Sequence, residues 1–203
     1  MTPSDSPRVG EILNSFMYKL FIDSNIHDFN LQEALEGISA SRREKALKFK
    51  HEQGQRECVL AYLLLKRALK EVYGIEGNPE MVEQEGGKPM LKDHPEIHFN
   101  LSHCKAGVAC VVGDEPVGVD IERVRKYNES LARHTMNDKE LQEIEASTDK
   151  ARAFIRLWTR KEALLKLTGE GIRSDLKTVL IREGVGFDVT EGEDFVCTVG
   201  KFM

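Results

Sequence analysis

The sequence predicts an α+β fold made of two similar α/β halves related by a pseudo-twofold, each with a small, mainly antiparallel sheet packed by helices. Two observations predict it. Strand-like text, helical text and strand-like text follow one another twice along the chain. A helical motif also recurs at one fixed offset: Lys66-x-Ala68-Leu69 with Gly74 ending that helix, and Lys161-x-Ala163-Leu164 with Gly169 ending the other. The strand-like runs Tyr18 to Asp23 and Val117 to Glu122, both apolar and both ending in an acid, sit at a similar offset. Any two amphipathic helices can be aligned about as well, so a chance match stands beside the repeat. If the halves face each other, a site belongs in the cleft between them.

The elements follow in order. Residues 1–14 read as a loose N-terminal leader, 15–116 as the N-terminal half and 117–203 as the C-terminal half. Ser15 to Ile22 reads as a strand. Asn30 to Val72 is mostly helical text, with Ser39 or Ser41 as N-cap and Glu44 completing a capping box with Ser41. Val59, Leu60, Leu63 and Leu64 form an apolar stripe, and Gly74 stops the helix. Gly86-Gly87-Lys88-Pro89 is a turn. Ile97 to Leu101, Gly107 to Val112 and Val117 to Ile121 read as strands, the last two joined by the turn Gly113-Asp-Glu-Pro116. Asn137 caps a helix running to Glu145, and a longer helix spans Lys150 to Leu167, stopped by Gly169. Val179 to Phe202 reads as short strands with glycine turns.

Composition bounds the function. A chain of 203 residues with 40% hydrophobic and 31% charged residues is long enough for a substantial core and ordinary for a soluble globular protein. The net charge of −5 argues against a nucleic-acid binder. Arg42, Arg43, Lys45, Lys48, Lys50 and His51 nevertheless crowd one stretch, which suits a phosphorylated ligand or an acidic partner. The four cysteines show no CxxC spacing, so a reduced, cytoplasmic protein is expected. The first residues lack the charge and apolar core of a secretory signal, and no apolar run has membrane-spanning length.

Four constellations bear chemistry. In Val117-Gly-Val-Asp120-Ile-Glu122, residues two apart share a strand face, so Asp120 and Glu122 project together and repel unless a cation lies between them. Mg²⁺ takes such hard oxygens; a solvated edge with two ordinary acids is the plain alternative. Trp158, Glu162 and Lys166 are i, i+4 neighbours on one helix stripe, which can supply a ligand, a base and a charge clamp, or simply an exposed ion pair beside a core tryptophan. Gly86-Gly-Lys88-Pro89 holds Lys88 out as a point charge for phosphate, or is a surface turn. In Phe99-Asn-Leu-Ser102-His103-Cys104, Ser102 and His103 point to opposite faces of a strand. That geometry disfavours a Ser-His hydrolase, while both can still donate to phosphate, or serve a turn.

In this order and spacing, the four motifs resemble the 4′-phosphopantetheinyl transferase superfamily over roughly residues 39 to 171. The length resembles the surfactin-synthetase-activating type, a pseudodimer in one chain. The resemblance implies transfer of the 4′-phosphopantetheine moiety of coenzyme A to a serine of an apo acyl or peptidyl carrier protein, with release of 3′,5′-ADP. It implies Asp120, Glu122 and Glu162 as ligands of Mg²⁺, with Mn²⁺ as substitute, and Glu162 and Lys166 as the catalytic pair. It further implies Arg42, Lys45, Lys88, Pro89, Ser102, His103 and Lys161 as coenzyme A contacts, in a monomer without nucleic-acid or membrane partners. A non-catalytic binder of coenzyme A or of the carrier protein is the alternative. Met136-Asn137 departs from the Phe-Ser common in the family. Glu57-Cys58 stands where this type often has Arg-Thr, which leaves both outside the expected site.

Overall fold

A computed structural model describes residues 18–84, 87–171 and 175–203. The expected leader, the start of the first strand and Gly86 lie outside the described residues. The helical text after Asn30 divides into three helices. Asn30 caps α1 (Leu31–Gly37) by accepting from the backbone N–H of Gln32 and Glu33. Ser39, not Ser41, caps α2 (Ala40–Leu47), accepting from Arg42 N–H, so Ser41 lies inside the helix. The long α3 (Glu52–Tyr73) ends at Gly74, whose φ of 69° is the left-handed conformation that glycine adopts without strain. In the second half, α4 (Glu129–Thr135) falls where the sequence reading assigns no element. Asn137 and Glu140 form a reciprocal capping box on α5 (Asp138–Ala146). Asp149 caps α6 (Lys150–Thr168), which ends at Gly169 with φ 75°.

The strands are β1 (Lys19–Asp23), β2 (Met81–Glu83), β3 (Pro89–Leu91), β4 (His98–Cys104), β5 (Gly107–Gly113), β6 (Val117–Arg123), β7 (Val185–Glu191) and β8 (Phe195–Phe202). They form one sheet of order β1-β5-β4, a second of order β6-β8-β7, and the hairpin β2-β3 on either side of the Gly-Lys-Pro turn. Every pairing is antiparallel. Both three-stranded sheets follow one plan: a first strand, helices, then a hairpin whose last strand lies in the middle. Val179–Ile181, expected to open the last strands, is instead a single 3-10 turn.

Packing explains the apolar run of β5. Val108, Cys110 and Val112 join Leu60, Leu64, Leu65 and Leu69 of α3 in one core cluster. Ala109 and Val111, on the other face, pack with Val117, Val119 and Ile121 of β6 and Cys197 and Val199 of β8. A strand buried on both faces needs apolar residues at every position, and all seven residues of β5 are buried. The layers therefore run α3, first sheet, second sheet, α6. Among the described residues, no helix is long and apolar enough to cross a membrane.

Candidate active site

The alternation of β6 decides where its acids go. Val119 and Ile121 turn into the core between the sheets, so Gly118, Asp120 and Glu122 face the other way, towards α6. Gly118 is what lets α6 approach. A Cβ there would lie 2.1 Å from the carbonyl oxygen of Ala163 and 2.5 Å from the backbone nitrogen of Leu167, a collision with main chain that no rotamer change relieves. This approach brings Lys166 Nζ to 2.7 Å from Asp120 Oδ1 and 2.9 Å from Ser102 Oγ.

Two sheet edges meet at this point. Asn100 Oδ1 on β4 accepts from Val119 N–H at 3.1 Å, and Ser102 Oγ accepts from Ile121 N–H at 3.3 Å. Side chains of β4 thus replace a backbone ladder to β6 and satisfy its buried donors. Ser102 also donates to Asp120 Oδ1 at 2.9 Å. Asp120 is 4% exposed, and its Oδ2 is buried without a hydrogen-bond partner, as is Oε1 of Glu162. Burial, followed by the nearby charge of Asp120, raises the pKa of both Glu162 and Glu122 above the ordinary glutamate value.

Of these acids, Glu162 lines a cleft of about 500 Å³ together with Lys166, Lys88 and Pro89. Arg42, Lys45, Phe49 and His103 line the same cleft. Arg42 is 7% exposed and donates Nη2 to the Cys58 carbonyl at 2.8 Å, while its Nε has no partner. Burial lowers the pKa of Arg42 and of Lys88. Lys45 is exposed.

The expected contact residues do not all reach the cleft. Lys161 is not in the cleft. It is fully buried and donates to Glu140 Oε2 at 2.7 Å and to the Leu176 carbonyl at 2.6 Å, because one helical step from Glu162 rotates it about 100° off the cleft-facing stripe. Ser102 is buried and bonded to Asp120, Lys166 and Ile121, so its hydroxyl ties β4 to β6 and α6. Lys88 lines the cleft but is not held free: Nζ donates to the carbonyls of Val117 at 3.3 Å and Leu167 at 3.1 Å. Glu57, left out on sequence grounds, belongs beside the site, with Oε2 3.1 Å from His103 Nδ1. The signal available for it was helical position: Glu57 lies four residues after Gln53, whose Nε2 donates to its Oε1 at 2.9 Å.

Among the described residues, no group of three or more His, Cys, Asp or Glu side chains is gathered so that it could hold a metal ion by itself. An Mg²⁺ site is seldom a closed protein cage; it keeps waters and takes one or two carboxylates with substrate phosphates. The uncommitted oxygens of Asp120 and Glu162, with Glu122 beside them, fit that open chemistry.

Comparison with known proteins agrees with this geometry. A family model described as the 4′-phosphopantetheinyl transferase superfamily matches residues 116–195. The chain is 37% identical over 139 residues to the 4′-phosphopantetheinyl transferase AcpT of Salmonella typhimurium, spanning 65% of this chain and 69% of that protein. It is 26% identical over 169 residues to the 4′-phosphopantetheinyl transferase Sfp of Bacillus subtilis, spanning 82% and 75%. It is also 32% identical over 148 residues to the 4′-phosphopantetheinyl transferase psf-1 of Bacillus pumilus, spanning 71% and 64%. The chain belongs to the 4′-phosphopantetheinyl transferase superfamily and is an enzyme of that type.

Proposed function

We propose that this enzyme transfers the 4′-phosphopantetheine moiety of coenzyme A to a serine of an apo acyl or peptidyl carrier protein, in an Mg²⁺-dependent reaction that releases 3′,5′-ADP. One observation carries the reading: two buried carboxylate oxygens without a hydrogen-bond partner, of Asp120 and Glu162, stand beside Lys166, and Glu162 and Lys166 line a cleft that is also lined by Arg42, Lys45, Lys88 and His103. Coenzyme A suits such a cleft, with a pyrophosphate and a further phosphate for its basic side chains.

The carrier serine hydroxyl attacks the β-phosphorus, and the bond to the bridging oxygen breaks, leaving that oxygen on 3′,5′-ADP. Glu162 takes the serine proton. Its raised pKa makes it a stronger base than an exposed glutamate. Lys166, released from Asp120 as phosphate arrives, neutralises charge on the departing nucleotide. Asp120, Glu122 and Glu162 would hold the Mg²⁺, which supplies charge neutralisation on the pyrophosphate. Ser102 and Asn100 fix β6 against β4 so that Asp120 keeps its place. The halves are read as related by a pseudo-twofold, with the cleft at their junction and boundaries near residue 116. A cytoplasmic monomer fits the four free cysteines.

The test is incubation with coenzyme A and an apo carrier protein, with and without Mg²⁺. Transfer adds the mass of phosphopantetheine to the carrier and releases 3′,5′-ADP. Release of free phosphopantetheine instead makes the protein a hydrolase, and an unaltered carrier beside bound coenzyme A makes it a binding protein.

A further inference from the structure

We propose that Glu57 is a positioning residue for donor recognition: it holds His103 with Nδ1–H turned away from the cleft, and it supports an imidazolium whose Nε2–H binds a terminal phosphate of the donor. The inference rests on the transferase reading above. Glu57 lies on α3 and is 8% exposed. Both of its oxygens are engaged, Oε1 by Gln53 Nε2 at 2.9 Å and Oε2 by His103 Nδ1 at 3.1 Å. An ionised carboxylate only accepts, so the hydrogen of this bond sits on Nδ1. Nε2 is then the ring nitrogen left to the cleft that His103 lines.

A neutral ring in that orientation offers an acceptor at Nε2 and is useless to an anion. A protonated ring offers a donor, and between Glu57 and a bound phosphate an imidazolium has an anionic acceptor at each nitrogen. The surroundings fit the same ligand. Arg42 and Lys45 line the same cleft, and the Phe49 and His103 rings meet in a T-shaped contact at 6.4 Å between centroids. A carboxylate facing the ligand directly would repel it. Placed behind the imidazole, Glu57 strengthens the donor instead.

The experiment compares coenzyme A with 3′-dephospho-coenzyme A as donors for the parent, Glu57→Gln, Glu57→Asp and His103→Ala, each with its melting temperature. Glu57→Gln keeps a hydrogen-bond acceptor and removes the charge. It is expected to raise KM for coenzyme A about tenfold, the scale of one charge-assisted hydrogen bond, with kcat unchanged. Its KM for the dephospho donor should stay within about twofold of the parent. Glu57→Asp should recover part of the loss, and Glu57→Gln should add nothing in the His103→Ala background. An unchanged KM, an equal rise for both donors, full additivity with His103→Ala, or loss of folding in both Glu57 variants each overturns the proposal. A parent that transfers from neither donor fails the transferase reading instead, and is told apart by that result.

Discussion

The contacts of α3 with β1 and of α6 with β6 each set a helix against the first strand of a three-stranded sheet, yet only the second gathers acids and a lysine. Both helices end at left-handed glycines, Gly74 and Gly169. On the first, Phe21 of β1 meets Leu60 and Leu64 in a closed apolar core. Arg67, which aligns with Glu162, closes on Glu71, which aligns with Lys166, at 2.6 Å on the surface. On the second, Gly118 draws the helix in and Asp120 faces it. The lesson is that the shared frame supplies proximity, while a polar residue at the strand–helix contact converts proximity into a site.

The largest expected effect separates the two stripes. Asp120→Ala or Glu162→Ala should lower kcat/KM for transfer by about 10²–10⁴, the range lost with a general base or a key charge. Excess chelator should do the same. Arg67→Ala and Glu71→Ala, at the aligned positions, should leave the rate within about twofold, since an exposed pair contributes little. Full turnover in chelator breaks the assignment of the acids, and a collapse in Arg67→Ala breaks the contrast.

The paired lysines come next. Lys66 donates to Asn78 Oδ1 at 2.8 Å near the surface, whereas Lys161 is sealed against Glu140. Lys161→Met leaves Glu140 buried and unpaired and should cost about 3–5 kcal/mol in urea unfolding. Lys66→Met should stay within about 0.5 kcal/mol. KM for coenzyme A should be unaltered in the folded fraction of Lys161→Met; a rise would return Lys161 to the cleft. Gly118→Ala should cost about 3 kcal/mol by overpacking and lower Tm by about 6–12 °C for a chain of this length. Gly186→Ala is the control, because its nearest neighbours are the flexible ends of Met203 and Lys201.

What was legible in the sequence is what local rules determine. Period-two alternation put Asp120 and Glu122 on one face and split Ser102 from His103, and the glycine stops and the Asn137 cap were correct. Chains of contact between distant residues were hidden. Lys161 reads as another cation until Glu140, on a different helix, is seen to neutralise it. Glu57 reads as an ordinary helical acid until β4 delivers His103. The hairpin β2-β3 was missed because three-residue strands carry too little pattern.

The smallest expected effect concerns the loops that leave the two first strands. β1 ends on Asp23 and its loop carries Asp28; β6 ends on Arg123 and its loop carries Arg125 and Lys126. Arg123 is partly tied to Asp194 at 3.7 Å, while Arg125 and Lys126 are exposed and have no ion pair among the described residues. This chain is net negative, so an acidic carrier is repelled at long range and needs a local basic face to meet it. The loop after β6 follows Glu122 directly and so flanks the approach of the carrier serine; the loop after β1 does not. Exposed charges act over about 8 Å at physiological ionic strength, so steering by this loop makes kcat/KM for the carrier fall with added salt. Reversing Arg125 and Lys126 to Glu should raise the carrier KM about three- to tenfold and flatten the salt dependence, because rim charges act mainly on association rate. KM for coenzyme A should not move. The reciprocal change, Asp23 and Asp28 to Lys, should leave the carrier KM as it is. If the first pair of changes does nothing and the second lowers the carrier KM, the carrier approaches from the β1 side, and the asymmetry between the halves ends at the acids rather than extending to the partner.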